Sequence, residues 1–454
     1  MIQSINPNDG KVLKTFTEIS KKELEKKLLI AEVCFKKWRQ TSFSKRTKLL
    51  HKVAKILRER KEEFGKIMTL EMGKTITSSI PEVVKCADVC DYFAENGKNF
   101  LLPEKITTEA TESHIEFQPL GTILAIMPWN YPFSQVFRYA APAIMVGNTT
   151  VLKHASNIPQ SALVIEKIFS EAGAPEGLFQ TLLISSKTAQ KLISDSRVKG
   201  VTLTGSEGAG REIAKTAGAN LKKVILELGG SDPFIVLEDA DLERAVKIGT
   251  TSRLLVSGQT CISAKRFILN KKIAKEFLSL FKVEMERKII GDPMNKKTEV
   301  GPLSSLQIVK DLESQVSISV KMGAKILTGG KKLNKQGFFY PPTILTNVLP
   351  TMPVYIDETF GPVAAVIIVK NDEEALKVAN DTRYGLGATI FTKNKKRASY
   401  FIKNIEAGNI YVNSIVRSNP KLPFGGTKAS GFGRELSSYG IKEFVNIKTI
   451  SIEN

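Results

Sequence analysis

The chain of 454 residues and 50.1 kDa is long enough to form at least two domains, each with its own hydrophobic core. Hydrophobic residues make up 42% and charged residues 25%, which excludes collagen-like, low-complexity and wholly disordered chains. The net charge is +20, but the basic residues are scattered and mostly alternate with glutamate on helical spacing. This pattern indicates a solvated lysine-rich surface and does not predict a nucleic-acid partner.

Cysteine and histidine are too few and too dispersed to predict a disulfide scaffold or a metal site. The chain has 4 cysteines and 3 histidines, with no CxxC or HxxxH spacing. The first residues, MIQSINPNDGK, do not resemble a signal peptide, and no apolar run reaches ~18 residues. We therefore expect a cytoplasmic protein with no metal and no membrane partner.

The first hundred residues are predicted to be helical, and extended and helical segments alternate after them. Apolar residues at helical spacing predict helices over 21–39, 44–71 and 81–96, the first of which is capped by Ser20. Strands are then predicted at 149–153, 181–185, 200–204, 223–229 and 233–237. A second alternating set follows Asp239. This alternation predicts an α/β protein with parallel, doubly wound sheets.

The chain ends in an extended segment, VNIKTISI, that has no strand partner nearby in sequence. A second extended segment, HIEF at 114–117, lies far upstream. We predict that the two pair in a small protruding sheet that is used between subunits.

Two segments carry side chains suited to covalent catalysis. GQTC, Gly258 to Cys261, places a cysteine at a predicted helix N-terminus, where the thiolate would be favoured. LELGG places Glu227 at the end of a buried strand, where apolar surroundings raise the pKa of a carboxyl and suit it to general-base work. Taken alone, the cysteine also fits a small buried residue and the glutamate an ion pair, so both interpretations stay open at this point.

Other candidate residues lie on turns that follow strands. MPWNYP places Asn130 between two prolines, in a rigid turn whose side-chain amide is a suitable oxyanion donor. TLTGSEGAG places Gly205 and Ser206 between a strand and a helix, an order that cradles phosphate, although neither GxGxxG nor a P-loop is complete. TVLKHAS adds Lys153 at a strand end. Each of these segments is weak evidence by itself.

Together the segments are much more specific. From residue 128 to residue 426 the chain carries, in one order, PWN, LK, TGS, ELGG, GQTC, ETFGP and PFGG. With this set it resembles the NAD(P)-dependent aldehyde dehydrogenase superfamily over essentially its whole length, and within it the succinate-semialdehyde dehydrogenases. The resemblance implies a Rossmann-type cofactor domain (1–104 and 122–230), an α/β catalytic domain (231–430) and a small β oligomerisation element (105–121 and 431–454).

The resemblance also implies roles for individual residues. Cys261 would attack the aldehyde carbon, and the Asn130 amide with the Cys261 backbone N–H would hold the oxyanion. Glu227 would activate the water that hydrolyses the resulting thioester. The residues implied to bind the cofactor are Trp129, Lys153, Gly205, Ser206, Glu358 and Phe360.

Cofactor choice depends on Ser156. Relatives that prefer NAD carry a glutamate at this position, which repels a 2′-phosphate. A serine leaves space and a hydroxyl donor, and Lys153 supplies positive charge, so we expect NADP to be accepted, with NAD as the alternative. His154, where proline is commoner, either helps here or has no part.

The expected substrate depends on arginines. Arg138 lies at a position that binds the distal carboxylate in succinate-semialdehyde enzymes, and a guanidinium suits a carboxylate bidentately. Leu255 replaces an arginine that some relatives use, so Arg253 and Arg417 are candidate substitutes. Ser263 replaces a second cysteine, so the CxC disulfide switch of some relatives is absent.

The sequence therefore predicts an enzyme that oxidises succinate semialdehyde or a similar short ω-carboxy aldehyde with NAD(P), as a homodimer or homotetramer. Glutarate semialdehyde, lactaldehyde and aliphatic aldehydes stay open as substrates, because one methylene changes binding by only ~1–3 kcal/mol. A CoA-acylating enzyme is disfavoured because Glu227 is present. The alternative from another class is a non-catalytic binding protein that uses the basic surface.

Overall fold

The structure is a computed structural model and describes residues 1–453. It begins with an antiparallel hairpin and four helices, which are β1 (Ile2–Ile5), β2 (Val12–Phe16), α1 (Lys21–Trp38), α2 (Phe43–Glu59), α3 (Lys61–Met72) and α4 (Ile76–Phe100). The predicted helix 44–71 is two helices, because Arg60 leaves the helical conformation with φ −113° and ψ 25°. The predicted helix 81–96 is longer at both ends, with Pro81 inside it.

Strands and helices alternate through the next part of the chain, as predicted. These elements are β3 (Glu104–Lys105), β4 (Glu112–Pro119), β5 (Thr122–Met127), α5 (Ser134–Val146), β6 (Thr149–His154), α6 (Pro159–Glu171), β7 (Phe179–Thr181), α7 (Ser186–Leu192), β8 (Val198–Thr204), α8 (Glu207–Ala219) and β9 (Lys223–Glu227). The strand predicted at 181–185 lies earlier in the chain. Its last predicted residue, Ser185, instead caps α7 by accepting the backbone N–H of Thr188.

The second alternating set follows β9. Its elements are β10 (Asp232–Val236), α9 (Leu242–Leu254), β11 (Ala264–Asn270), α10 (Ala274–Glu286), α11 (Leu306–Lys321), β12 (Lys325–Thr328), β13 (Thr343–Thr346), α12 (Pro353–Ile356), β14 (Val363–Val369), α13 (Asp372–Asn380), β15 (Tyr384–Gly385), β16 (Gly387–Phe391), α14 (Lys395–Asn404), β17 (Asn409–Val412), β18 (Thr427–Lys428), β19 (Gly431–Phe432), α15 (Ser437–Gly440) and β20 (Val445–Ile452). Two-residue strands β15 and β18 pair with each other.

Two large sheets organise the molecule. The N-terminal sheet has the order β19-β9-β8-β5-β6-β7, with all strands parallel except β19. The C-terminal sheet has the order β12-β13-β14-β11-β10-β16-β17, with all strands parallel except β12. Every residue of β6, β10, β11 and β16 is buried, as parallel strands between helix layers require. The predicted α/β class is confirmed.

A third, smaller sheet has the order β20-β4-β3 and is antiparallel. β20 pairs with β4 over eight residues, from Val445 opposite Pro119 to Ile452 opposite Glu112, so the predicted pairing of the chain's final strand with HIEF is confirmed. The predicted element 431–454 is divided, however, because β19 extends the N-terminal sheet instead. The last residue of the predicted element, Asn454, lies outside the described residues.

Two absences hold within residues 1–453. No helix there is long and apolar enough to cross a membrane. No three or more histidine, cysteine, aspartate or glutamate side chains converge there on a point that could hold a metal ion. The cytoplasmic location stays a prediction.

Candidate active site

The loops after β5 and β8 lie side by side at the carboxyl edge of the N-terminal sheet. β5 and β8 are hydrogen-bonded neighbours, with β6 and β7 on one side of them and β9 on the other. The chain order therefore reverses between these two strands, and such a reversal opens a crevice beyond the carboxyl ends of parallel strands. Residues 128–130 follow β5 and residues 205–206 follow β8 at this crevice.

The side chain of Asn130 is fixed beside the cysteine segment. Asn130 is buried, and its Nδ2 donates a hydrogen bond to the backbone oxygen of Gln259 over 2.9 Å. The turn that carries it is held by Glu82, whose Oε1 accepts the backbone N–H groups of Phe133 and Ser134. One N–H of the Asn130 amide is thus bonded inside the protein, and the second is left for an oxyanion.

Cys261 lies on a turn immediately before β11, so its predicted place at a helix N-terminus is wrong. α9 ends at Leu254, and the chain then turns through Val256 and Ser257, whose φ angles are 52° and 55°. These left-handed conformations end the helix. Leu255 and Val256 do not favour turns, and Val256 takes a left-handed conformation that is rare for a β-branched residue, so the sequence does not reveal the turn.

Gly258 lets the cysteine turn approach the ETFGP segment. Its φ is +80°, and a Cβ at this position would lie 2.2 Å from the backbone oxygen of Gly361. No side chain fits there without moving one of the two backbones. The contact therefore fixes Cys261 relative to Glu358 and Phe360, which lie on the same segment as Gly361.

The surroundings of Cys261 favour the thiol over the thiolate. Burial raises the pKa of Cys261 to about 12, and the positive charge of Lys265 opposes this only in part. Lys265 Nζ donates to the Cys261 backbone oxygen over 2.6 Å and lies 3.1 Å from Glu358 Oε1. The structure thus does not bear out the predicted thiolate, and nucleophilic attack by Cys261 requires a base to accept its proton.

Glu227 is the last residue of β9 and is buried. Burial, and then the like charge of Glu435, raise its pKa well above the usual value, while Arg138 and Arg434 act in the opposite direction. Within the described residues its Oε1 has no hydrogen-bond partner. A carboxyl with a raised pKa and a free oxygen is suited to general-base chemistry, as the strand-end position predicts.

A cavity of about 320 Å³ brings most of the predicted site residues together. Those that line it are Trp129, Asn130, Gly205, Ser206, Cys261, Glu358 and Phe360. The rings of Trp129 and Phe360 meet edge to face with centroids 5.6 Å apart. Glu358 Oε1 accepts the backbone N–H of Gly230 over 3.1 Å. Glu227 directly precedes Leu228, which also lines the cavity.

The start of α8 fits the pyrophosphate of a nicotinamide dinucleotide. Ser206 caps this helix, with its Oγ accepting the backbone N–H of Ala209 over 3.3 Å. A Cβ at Gly205 would meet only Leu203 atoms at 3.9 Å, so the backbone there is open to a ligand. Thr204 Oγ1 is buried without a partner among the described residues. Free N–H groups at a helix start and an unpaired hydroxyl are suited to an anionic group.

Three residues at the end of β6 have different surroundings. Lys153 is buried, and burial lowers its pKa, with Glu18 opposing. Ser156 is exposed to solvent. His154 is buried; its Nε2 lies 2.8 Å from the Pro132 backbone oxygen, and its Nδ1 accepts the Ala155 N–H. His154 therefore braces the turn after β5.

The Arg138 guanidinium has a partner for Nη2 but none for Nε. Its Nη2 forms a buried ion pair with Glu435, and its guanidinium stacks over the Phe424 ring at 4.6 Å. Its buried Nε has no partner within the described residues. Arg138 lies close enough to affect the pKa values of both Cys261 and Glu227.

The other two predicted arginines are placed differently. Arg253 has no exposed surface, and its Nη2 donates to the Gly258 backbone oxygen over 2.7 Å and to Ser263 Oγ over 3.2 Å. It supports the cysteine turn from inside, so its predicted contact with substrate is wrong. Arg417 is exposed, and its backbone oxygen accepts the Tyr411 hydroxyl. Its predicted contact with substrate stays a prediction.

Two residues of the site were not singled out from the sequence. Lys265 lies four residues after Cys261 and, with Arg266, puts two charges into the buried strand β11, a pattern that could have indicated a buried ion pair. Glu435 belongs to SGFGREL, a segment that contributes to the family resemblance. Its pairing with Arg138 joins residues 297 positions apart, a contact that sequence spacing does not indicate.

The comparisons with known proteins agree with this geometry. The aldehyde dehydrogenase family model matches residues 1–450. A probable succinate-semialdehyde dehydrogenase (NADP+) of Synechocystis sp. is 49% identical over 451 residues, with 99% of each chain covered. The enzyme named succinate-semialdehyde dehydrogenase (NADP+) in Mycobacterium leprae is 44% identical over 454 residues, and 99% of each chain is covered there too. The crystal structure of the Streptococcus pyogenes succinic semialdehyde dehydrogenase with NADP+ matches with a TM-score of 0.98, 42% identity and complete coverage of both chains. The chain therefore belongs to the aldehyde dehydrogenase family.

Proposed function

We propose that this protein oxidises succinate semialdehyde to succinate with NADP as the hydride acceptor. The observation that carries the proposal is its likeness, at 44–49% identity over 99% of both chains, to relatives named as NADP-dependent succinate-semialdehyde dehydrogenases. The site supports it, because a cysteine and an amide donor line one cavity beside a helix start, and the buried carboxyl of Glu227 directly precedes Leu228 of that lining.

The chain's own residues account for two chemical steps. Cys261 Sγ bonds to the aldehyde carbon and its proton passes to a base, while the Asn130 amide and the Cys261 backbone N–H bind the oxygen as it becomes negative. A nicotinamide held by Glu358 and Phe360 would supply the hydride acceptor, and the oxidised carbon would remain on Cys261 as a thioester. Glu227 then takes a proton from water, whose oxygen bonds to the thioester carbon and releases the carboxylate and the thiol.

The residues that hold NADP in this proposal are Trp129, Lys153, Ser156, Gly205, Ser206, Glu358 and Phe360. Gly205 and Ser206 bind the pyrophosphate at the start of α8. The exposed hydroxyl of Ser156 and the ammonium of Lys153 favour a 2′-phosphate over its absence, so NADP is preferred to NAD.

The division of the chain and its assembly are also proposals. Residues 1–104 and 122–230 bind the cofactor, and 231–430 form the catalytic domain. The small sheet of β20, β4 and β3 joins subunits of a homodimer or homotetramer, because Ile447 on β20 is 59% exposed there.

The test is an initial-rate comparison of NADPH and NADH formation with succinate semialdehyde, glutarate semialdehyde and butanal. We expect the highest kcat/KM with succinate semialdehyde and NADP. Good rates with butanal alone would discard the carboxylate preference but keep the cysteine chemistry. No turnover of any aldehyde with either cofactor would contradict the proposal and favour a binding protein.

A further inference from the structure

A buried ion pair that the proposed mechanism does not use lies behind the turn after β5, which carries Asn130. Lys74, between α3 and α4, pairs with Glu82 of α4. The two side chains are 0% and 2% exposed. Removing two charges from water costs free energy that their attraction regains only in part, so such a pair is weak evidence of a purely structural role. Its contacts point to another use.

The carboxylate of the pair caps the helix that follows Asn130. Glu82 Oε1 accepts the backbone N–H of Phe133 over 3.0 Å and that of Ser134 over 2.9 Å, at the start of α5. Phe133, the N-cap residue, supplies no side-chain cap of its own. An ionised carboxylate accepts hydrogen bonds on both oxygens, and here Oε2 accepts from Lys74. Lys74 thus supplies the counter-charge that lets Glu82 hold the start of α5.

The ammonium of the pair contacts the turn itself. Lys74 Nζ lies 3.8 Å from the centroid of the Tyr131 ring, close enough for a cation–π interaction. Tyr131 directly follows Asn130 in the chain. The Tyr131 hydroxyl lies 3.4 Å from Oγ1 of Thr260. Since Thr260 directly precedes Cys261, this contact reaches the cysteine turn.

Two neighbouring contacts therefore join the turn after β5 to the cysteine turn. One is the contact of Tyr131 with Thr260, and the other is the hydrogen bond from Asn130 Nδ2 to the Gln259 backbone oxygen. The ion pair holds the first of these turns at Tyr131 and at the start of α5. An oxyanion donor acts only when it is held within about 0.5 Å of its productive position, so the support behind it affects the rate.

We infer that Lys74 is a positioning residue of the reaction. Paired with Glu82, it holds the turn after β5 so that the Asn130 amide faces the oxygen of an aldehyde bonded to Cys261. Lys74 does not line the cavity and acts through Glu82 and Tyr131. The inference rests on the proposed function and adds to it the residue that supports the oxyanion donor.

The test is a double-mutant cycle on kcat with succinate semialdehyde and NADP. It compares wild type, Lys74→Met, Asn130→Ala and the double variant. Asn130→Ala should lower kcat by about 10²-fold or more, because an oxyanion donor is lost. Lys74→Met should lower kcat at least about tenfold with little change in KM, but by less than about threefold in the Asn130→Ala background. A merely structural loss would be the same factor in both backgrounds.

Further variants separate positioning from stability. Lys74→Met leaves Glu82 without its counter-charge and is expected to lose stability. The neutral pair Lys74→Met/Glu82→Gln removes both charges, and its loss of kcat should again shrink in the Asn130→Ala background. Lys74→Arg keeps the charge and should recover part of kcat. Lys27→Met, which breaks an ion pair with Glu166 beside a different cavity, should change neither kcat nor KM.

The outcomes separate this inference from the proposed function. If wild type oxidises succinate semialdehyde and the Lys74 variants keep its kcat, or lose it by the same factor in both backgrounds, the role of Lys74 is overturned while the proposed function stands. If wild type oxidises butanal only, the proposed substrate is wrong, and the same cycle on butanal decides the role of Lys74. If wild type turns over no aldehyde, both are overturned. A non-additive loss of kcat, partly restored by Lys74→Arg, supports both.

Discussion

The two walls of the active-site cleft are built in different ways. The cofactor wall consists mainly of loops at the carboxyl edge of the N-terminal sheet, where Trp129, Gly205 and Ser206 come one or two residues after their strands. The substrate wall consists of the cysteine turn and of buried charges from α5, β11 and the segment after β19 that meet only in the folded chain.

The difference explains the chemistry each wall provides. Open backbone and a helix start on the cofactor wall bind an anion from the side of the solvent. Buried charges on the substrate wall sit where water is scarce, so each of them shifts the pKa of its neighbours, as Glu435 and Arg138 do for Glu227. In the proposed function, the first wall binds the cofactor, and the second wall controls protons and selects the substrate.

The comparison is tested most strongly by a substitution that removes the reactive group of the substrate wall and leaves the cofactor wall unchanged. Cys261→Ser should lower kcat by about 10³-fold or more, because a hydroxyl is a far weaker nucleophile than a thiol. NADPH binding, measured by fluorescence or calorimetry, should stay close to that of wild type. Retained activity would contradict the nucleophile assignment, and lost NADPH binding would show that the two walls are not separable.

A second prediction tests the rigidity of the cofactor wall through His154. Burial lowers the pKa of His154 from 6.5 to about 4, so its neutral form is favoured by folding. Between these values the unfolded chain binds a proton that the folded chain does not, and stability therefore falls as pH falls from 6.5 toward 4. From about pH 7 to about pH 5 the wild type should lose about 2 kcal/mol of unfolding free energy more than His154→Gln.

Urea unfolding of both proteins at the two pH values measures this difference. The comparison uses the change with pH in each protein, so a constant cost of the substitution cancels. An identical pH dependence in wild type and His154→Gln would mean that His154 is not buried as a neutral ring.

The third prediction concerns the contact that joins the cysteine turn to ETFGP. Gly258→Ala should lower the free energy of unfolding by more than about 1–2 kcal/mol, because a Cβ at φ +80° is strained and would also meet the Gly361 oxygen. Gly173→Ala is the matched control, since Gly173 has φ +90° with nothing within 4 Å of the added Cβ. Equal losses in the two variants, by thermal unfolding, would mean that the Gly361 contact carries no energy.

The cofactor wall could be predicted from the sequence because its signals are local. Asn130, Gly205 and Glu227 each follow an apolar strand, and strands of a parallel sheet bring their carboxyl ends to one edge. The final strand and its partner were also predictable from two extended segments without other partners, and β20 and β4 confirm them.

The substrate wall could not be predicted in the same way. The turn before Cys261 has no glycine or proline until Gly258, and the prediction placed a helix start at Cys261 where the chain forms a turn. Arg253 is predicted as a substrate ligand because it could replace the arginine that is missing at position 255. Sequence spacing does not reveal that its side chain points into the protein. The Arg138–Glu435 contact joins residues 297 positions apart, which only tertiary packing determines.

The central claim is that Cys261 and Glu227 act in succession on one covalent intermediate, and intact-mass spectrometry of Glu227→Gln tests it most directly. With succinate semialdehyde and NADP, this variant should form about one NADPH per active site and gain the mass of one succinyl group. The double variant Glu227→Gln/Cys261→Ser should gain none. Continued turnover by Glu227→Gln without an adduct, or an adduct that survives in the double variant, would contradict the account.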